Sequence, residues 1–287
     1  MDSQPIPSNS KYAPIGIFDS GYGGLTVFKS IRNLLPQYDY IYLGDNARAP
    51  YGNRSFETIY QYTFQAVEWF FQQGCPLVIL ACNTASAKAL RSIQQKKLPF
   101  MEYPDNRVLG VIRPTTETLG TYTKSKHIGI LGTQGTVQSN SYPIEMGKFW
   151  PDVTVHQLAC PMWVPLIENN EHNTPGADYF IEKYLDELLA AENKIDTILL
   201  ACTHYPLIQD KVEAKVGAHI KLLSQGDIVA QSLKDYLQRH SDMDMKISKN
   251  KTLDFFTTEQ PDNFNSKASL FFGDEVNAAN VHFTNGY

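Results

Sequence analysis

No apolar stretch in this 287-residue chain approaches the roughly 20 residues of a membrane span, so no membrane partner is expected. Basic runs are as scarce: the longest is Lys96-Lys97, and a generic nucleic-acid binder needs a basic footprint. Direct nucleic-acid binding is therefore not expected. Cysteine is sparse, with four residues and no CxxC pair, and no His stands three to five residues from another. That spacing gives no structural zinc motif, so no metal ligand is assigned. Numbers 1–13 are polar, carry two prolines and lack the apolar core of a secretory signal. Without an export signal, Cys75, Cys82, Cys160 and Cys202 are expected as free thiols in a cytoplasmic protein.

What remains is an ordinary globular composition: 43% hydrophobic, 19% charged, with 25 Lys plus Arg against 30 Asp plus Glu. At roughly 150 residues per domain the length suggests two units. A chain this long buries enough apolar surface to need no disulfide or metal staple. The sixteen tyrosines and fifteen phenylalanines are scattered and read as packing.

The first strand reads as Ile15-Gly16-Ile17-Phe18, ending at Asp19. The glycine-rich turn Ser20–Gly24 follows, then a helix through Leu25, Phe28 and Ile31. Strand, polar tip, glycine turn and helix make an α/β unit that binds ligands at strand C-termini. Tyr40–Leu43 reads as a second strand ending in Gly44-Asp45-Asn46. Ser55 caps a helix whose apolar residues recur at helical spacing until Gly74. Leu77–Ala81 is a fully apolar run, as in a parallel sheet covered on both faces. Later, Ile220–Leu223 reads as a strand, Gln225-Gly226-Asp227 as a turn and Ile228–Arg239 as a helix. Ser241–Asn250 reads as a surface loop, Leu253–Thr258 as a late strand and Asn263–Phe272 as a short helix before a mobile end near Tyr287.

Two passages repeat. Leu77–Ala81 leads into Cys82-Asn83-Thr84, and Thr197–Ala201 leads into Cys202-Thr203-His204. Ile15–Gly21 is echoed by Ile128–Gln134 in the same order. Two landmarks at nearly one offset indicate duplicated units. Both cysteines stand where a buried strand turns into a helix, a place where free N–H groups hold carboxylates and tune a thiol. A lone cysteine there would read as packing; two in matched positions point to chemistry. Inverting a carbon centre takes a proton from one face and returns it to the other, which calls for two opposed acid/base groups. Cys75 and Cys160 lack this setting and read as structural. Gly21-Tyr22-Gly23-Gly24 is no dinucleotide fingerprint, since Thr26 holds the third glycine position, and Phe28 spoils a phosphate-loop match over Gly23–Ser30.

These residues carry a resemblance. Phe18–Gly24, Gly44-Asp45 with Pro50-Tyr51-Gly52, Ala81–Ala85, Leu131-Gly132-Thr133 with Thr136, Cys160-Pro161 with Pro165–Glu168, and Ala201–Leu207 occur in order from Pro14 to Gly273. The ordered set resembles the glutamate racemases of the aspartate/glutamate racemase superfamily. The resemblance implies an α/β fold of two pseudo-symmetric domains, each a mostly parallel sheet flanked by helices, with the active site between them. It implies borders of 1–109 with 224–287 for one domain and 110–223 for the other. It implies a cofactor-independent isomerase that interconverts L- and D-glutamate, the latter for peptidoglycan and hence cell-wall biogenesis and cell shape. Cys82 and Cys202 would be the acid/base pair, Asp19 assisting the first, Glu168 and His204 the second. Substrate would be held by Asp19, Ser20, Pro50, Tyr51, Gly52, Asn83, Thr84, Thr133, Thr136, Thr203 and His204. A homodimer is implied, and some relatives are linked to gyrase inhibition, though no residue here supports that partner.

Other readings stay open at this level. Asp19 also suits a simple turn former, His204 a structural histidine and Glu168 a solvated loop residue. An aspartate racemase would use the same thiol pair, and a silent binding relative would be expected to lack one thiol. A Cys/His hydrolase leaves the second matched cysteine without a reason.

Overall fold

The computed structural model describes residues 12–283; expectations for numbers 1–11 and for the end at Tyr287 lie outside the described residues. The strands are β1 (Ile15–Asp19), β2 (Tyr40–Gly44), β3 (Leu77–Leu80), β4 (Arg107–Gly110), β5 (His127–Gly132), β6 (Thr154–Ala159), β7 (Thr197–Ala201), β8 (Lys221–Leu223), β9 (Leu253–Thr257) and β10 (Ala278–Asn280). They form one sheet in the order β10-β9-β2-β1-β3-β4 and another in the order β6-β5-β7-β8. Every ladder is parallel. Without its β9–β10 extension the first sheet runs β2-β1-β3-β4, the same order as the second. The expected α/β class with two related, mostly parallel sheets is borne out.

Helices cover these sheets because the strands are apolar on both faces; β1, β2, β3 and β7 are buried at every position. The helix Gly24–Leu34 buries Leu25, Val27, Phe28 and Ile31. Phe28 stacks on Tyr42 at 5.9 Å and Phe272 at 5.4 Å, and meets Tyr40 edge-on at 5.2 Å. Full burial of one such ring contributes roughly 1.5–3 kcal/mol. Ser55 caps the helix Phe56–Gln72 by accepting the Thr58 N–H at 3.2 Å, and Gly74 follows at φ +83°.

Two expectations fail locally. Gln225-Gly226-Asp227 is no turn: a helix starts at Gly226 and runs to Arg239. A Cβ on Gly226 would sit 2.6 Å from Ser30 Oγ, so this glycine serves close helix packing. Within Ser241–Asn250, Ser241–Lys246 is helical, because Met243 and Ile247 are buried and anchor it. Elements the sequence did not announce include β4, β6, β10 and the helices Ile112–Leu119 and Pro175–Ala191. Strand β6 lies at the edge of its sheet and is only partly buried, so its apolar pattern is diluted.

Candidate active site

Both repeated strands deliver a thiol at the same place. Cys82 follows β3 and caps the helix Asn83–Lys88, its Sγ accepting the Ala85 N–H at 3.5 Å. Ser20 Oγ lies 3.4 Å from that sulfur. Asp19 ends the neighbouring strand β1 and is wholly buried. Its Oδ2 accepts the Gly21 N–H at 2.9 Å, while buried Oδ1 has no hydrogen-bond partner among the described residues. Burial raises the Asp19 pKa, against the pull of positive His204. Burial, and then the Asp19 charge, push the Cys82 thiol up to about 12. At neutral pH Cys82 therefore carries its proton.

Cys202 follows β7 and is also buried. His204 Nδ1 stands 4.0 Å from its sulfur, and Nε2 stands 2.9 Å from Glu168 Oε1. Glu168 ends the helix Trp163–Glu168, which brings the carboxylate against the ring. Burial alone would strip the proton from His204. Hydrogen bonds and charge from Cys202 and Glu168 outweigh it and raise the pKa to about 10. The imidazolium then donates at both nitrogens, one toward Cys202 and one to Glu168.

Contacts between the two sheets' loops close the site. A Cβ on Gly23 would fall 2.3 Å from Thr203 Oγ1 and 2.4 Å from His204 Nδ1, so only glycine lets that turn reach the second thiol loop. Thr26 Oγ1 lies 2.9 Å from the Thr203 carbonyl. The Gly135 N–H donates to the Gly52 carbonyl at 2.8 Å. Thr84 and Thr133 hydroxyls meet at 2.9 Å, and Thr133 and Thr136 hydroxyls at 3.1 Å. Thr133 also caps the helix Gln134–Gln138.

Twelve of the fourteen anticipated residues thus converge in one polar cluster, with Pro50 and Tyr51 in the loop that leads to Gly52. Pro50 is exposed and joined to Ala49 by a cis peptide. Tyr51 is buried and its hydroxyl is committed to Asp45, which also takes two bonds from Arg48 Nε at 2.7 and 2.9 Å. Asn83 is present too, but both ends of its amide are engaged in hydrogen bonds. Asn83 Nδ2 donates to Gln225 Oε1 at 2.6 Å, Gln225 Nε2 to the Tyr142 hydroxyl at 2.9 Å, and Tyr142 back to Asn83 Oδ1 at 2.7 Å. Sequence reasoning missed this closed ring. Its only trace was an amide placed among turn-forming residues at Ser224-Gln225-Gly226. Lys88 was missed as well: burial lowers its pKa, and its ammonium donates to the Arg54 carbonyl at 3.1 Å.

The profile of the family described as Asp/Glu/Hydantoin racemase matches residues 15–233, which reach from β1 through both thiols. A glutamate racemase of Persephonella marina is 37% identical over 262 residues, covering 91% of this chain and 94% of the relative. The solved glutamate racemase of Bacillus anthracis aligns with a TM-score of 0.85 at 32% identity, covering 95% of this chain and 98% of that one. That of Francisella tularensis, solved in complex with D-glutamate, aligns with a TM-score of 0.82 at 29% identity, covering 94% and 97%. A family match spanning most of the chain and similarity along nearly the whole length of these relatives lead to one assignment. The chain belongs to the Asp/Glu/Hydantoin racemase family, in its glutamate racemase branch, and is an isomerase.

Proposed function

We propose that this enzyme interconverts L- and D-glutamate by two-base proton transfer between Cys82 and Cys202, supplying D-glutamate for peptidoglycan synthesis. The observation that carries the reading is the pair of buried thiols at matched strand ends, β3 and β7, in contrasting charge settings. One thiolate takes the α-proton from one face of the substrate, and the opposite thiol returns a proton to the other face. Cys82 holds its proton, and the His204 imidazolium beside Cys202 is a counter-charge whenever that sulfur becomes a thiolate during turnover. The enantiomer whose α-hydrogen faces Cys202 gives up its proton to that sulfur, and the reverse reaction uses the pair in the opposite sense.

Binding follows from the remaining groups. The buried, unpartnered Asp19 Oδ1 is an acceptor for the substrate ammonium. Hydroxyls of Ser20, Thr84, Thr133, Thr136 and Thr203 are neutral donors, which hold carboxylates without adding a competing base. Tyr51, Gly52 and Asn83 contribute backbone N–H groups, since the Tyr51 and Asn83 side chains are committed elsewhere. Pro50 shapes the rim. Two thiols fill both proton-transfer roles, so the reading calls for no cofactor. The units in this scheme are 1–109 with 224–287, and 110–223, the substrate lying between them.

The test is incubation of either enantiomer in deuterium oxide without added cofactor, following optical rotation and deuterium at the α-carbon. Inversion accompanied by solvent deuterium is the expected result. Full activity in C82A or C202A would overturn the two-base scheme. Rescue of a bacterium that requires added D-glutamate would test the cell-wall role.

A further inference from the structure

At the opposite ends of the strands from the thiols, a second cluster of chemistry-bearing side chains is assembled. His127 opens β5, and His156 is the third residue of the edge strand β6. The register pairs His127 with Thr154 and Gly129 with His156, so both imidazoles lie on one face of the sheet, one step apart. Their rings stack with centroids 5.4 Å apart. Glu192 joins them from just past the end of the helix Pro175–Ala191. His127 Nδ1 is 3.2 Å from His156 Nε2 and 3.4 Å from Glu192 Oε2. All three donor atoms lie within 4.8 Å of one another.

The separations suit a metal ion. Zinc binds imidazole nitrogen at roughly 2.0–2.1 Å and carboxylate oxygen at roughly 2.0–2.2 Å in tetrahedral geometry, which sets neighbouring donor atoms about 3.4 Å apart. The two separations at His127 Nδ1, 3.2 and 3.4 Å, match that edge. The carboxylate is oriented from outside the cluster, its Oε1 accepting the Lys194 N–H at 2.9 Å and leaving Oε2 toward the ring. His127 is fixed through its backbone, its N–H donating to Ser125 Oγ at 3.1 Å and its carbonyl accepting the Asp196 N–H at 3.4 Å. These contacts hold the His127 backbone and the Glu192 carboxylate in place. Side chains of His127 and Glu192 remain 20% and 21% exposed, so an ion can reach them from solvent.

We propose that His127, His156 and Glu192 bind a divalent transition-metal ion, zinc in the first instance, with water completing the tetrahedron. The ion would fasten edge strand β6 to β5 and to the end of the helix Pro175–Ala191. The two histidines lie 29 residues apart, so local His spacing carries no sign of them. The site is remote from proton transfer and makes no claim on the racemase reading.

The experiment uses the full chain, titrated with zinc chloride by calorimetry and with cobalt(II) chloride by visible absorption. One ion per chain is expected, with a tetrahedral cobalt spectrum and no thiolate-to-metal charge-transfer band. H156Q and E192Q should each weaken binding at least about tenfold. Zinc at a hundredfold excess over its dissociation constant should raise the melting temperature by about 5 °C in the parent chain. It should do so in the C82A/C202A double variant and not in H156Q. Unaltered racemase turnover of H156Q in chelated buffer confirms that this variant folds. Binding that survives both H156Q and E192Q, that vanishes with the two thiols, or that never occurs would overturn the proposal.

Discussion

Cys82 follows β3 and Cys202 follows β7, strands that hold the same place in two sheets of the same order. Around Cys82 stand a buried carboxylate and a hydroxyl; around Cys202 stand an imidazolium and, behind it, a second carboxylate. The backbone is repeated and the charge is not. Duplication alone would give two equivalent thiols, whereas the proposed proton transfer uses them in opposite senses. The difference between the loops makes the two settings unequal: desolvation and a negative neighbour keep the proton on Cys82, whereas a positive neighbour faces Cys202.

Removing either thiol abolishes the comparison and should have the largest effect. C82A and C202A are each expected to lose about 10³-fold or more in kcat/KM, measured by polarimetry with both enantiomers. Next, D19N removes the carboxylate that helps keep Cys82 protonated. Its kcat/KM should fall about a hundredfold, and the Cys82 thiol should titrate below about 12, read from the pH dependence of alkylation. An unchanged thiol pKa would detach Asp19 from Cys82. On the other side, E168Q should lower the His204 pKa from about 10, followed by NMR of labelled histidine. Imidazolium is present below that value and lost as pH rises through it, so in the variant the loss comes at lower pH. Turnover should drop roughly tenfold, about 1.4 kcal/mol. The smallest effect on chemistry is expected from Q225L, which leaves both thiols in place but opens the ring with Asn83 and Tyr142. Stranding those buried groups should cost about 1–3 kcal/mol in urea unfolding.

The sequence disclosed the central strands well, because Leu77–Leu80 and Thr197–Ala201 are short buried runs with polar residues at their C-terminal ends. The thiols were legible for the same reason, since a strand end and a repeated tetrapeptide are local features. Edges and partnerships were not. Thr-Val-His-Gln-Leu-Ala in β6 is half-buried and mixes polar with apolar residues, so periodicity says little. Gln225 looked like part of a turn because its neighbours are Ser, Gly and Asp. Its role comes from Asn83 and Tyr142, which only the tertiary fold brings beside it. Ser241–Lys246 hid its helix behind charged residues, with Met243 and the following Ile247 as anchors. The Glu168–His204 pair spans 36 residues and could be seen from the resemblance but not from spacing.

Strand β2 takes its outer partner from β9, Tyr40 lying opposite Leu253 and Gly44 opposite Thr257. The four-stranded sheet, by contrast, is drawn from the uninterrupted stretch 127–223. During synthesis all strands of that sheet leave the ribosome before the last strands of the other exist. The nascent chain must carry β2 with one edge unpaired for most of its emergence, and such an edge invites pairing with other chains. Order of birth therefore runs opposite to order in sequence: the later-encoded sheet is complete first, and the earlier one waits for its closing strands.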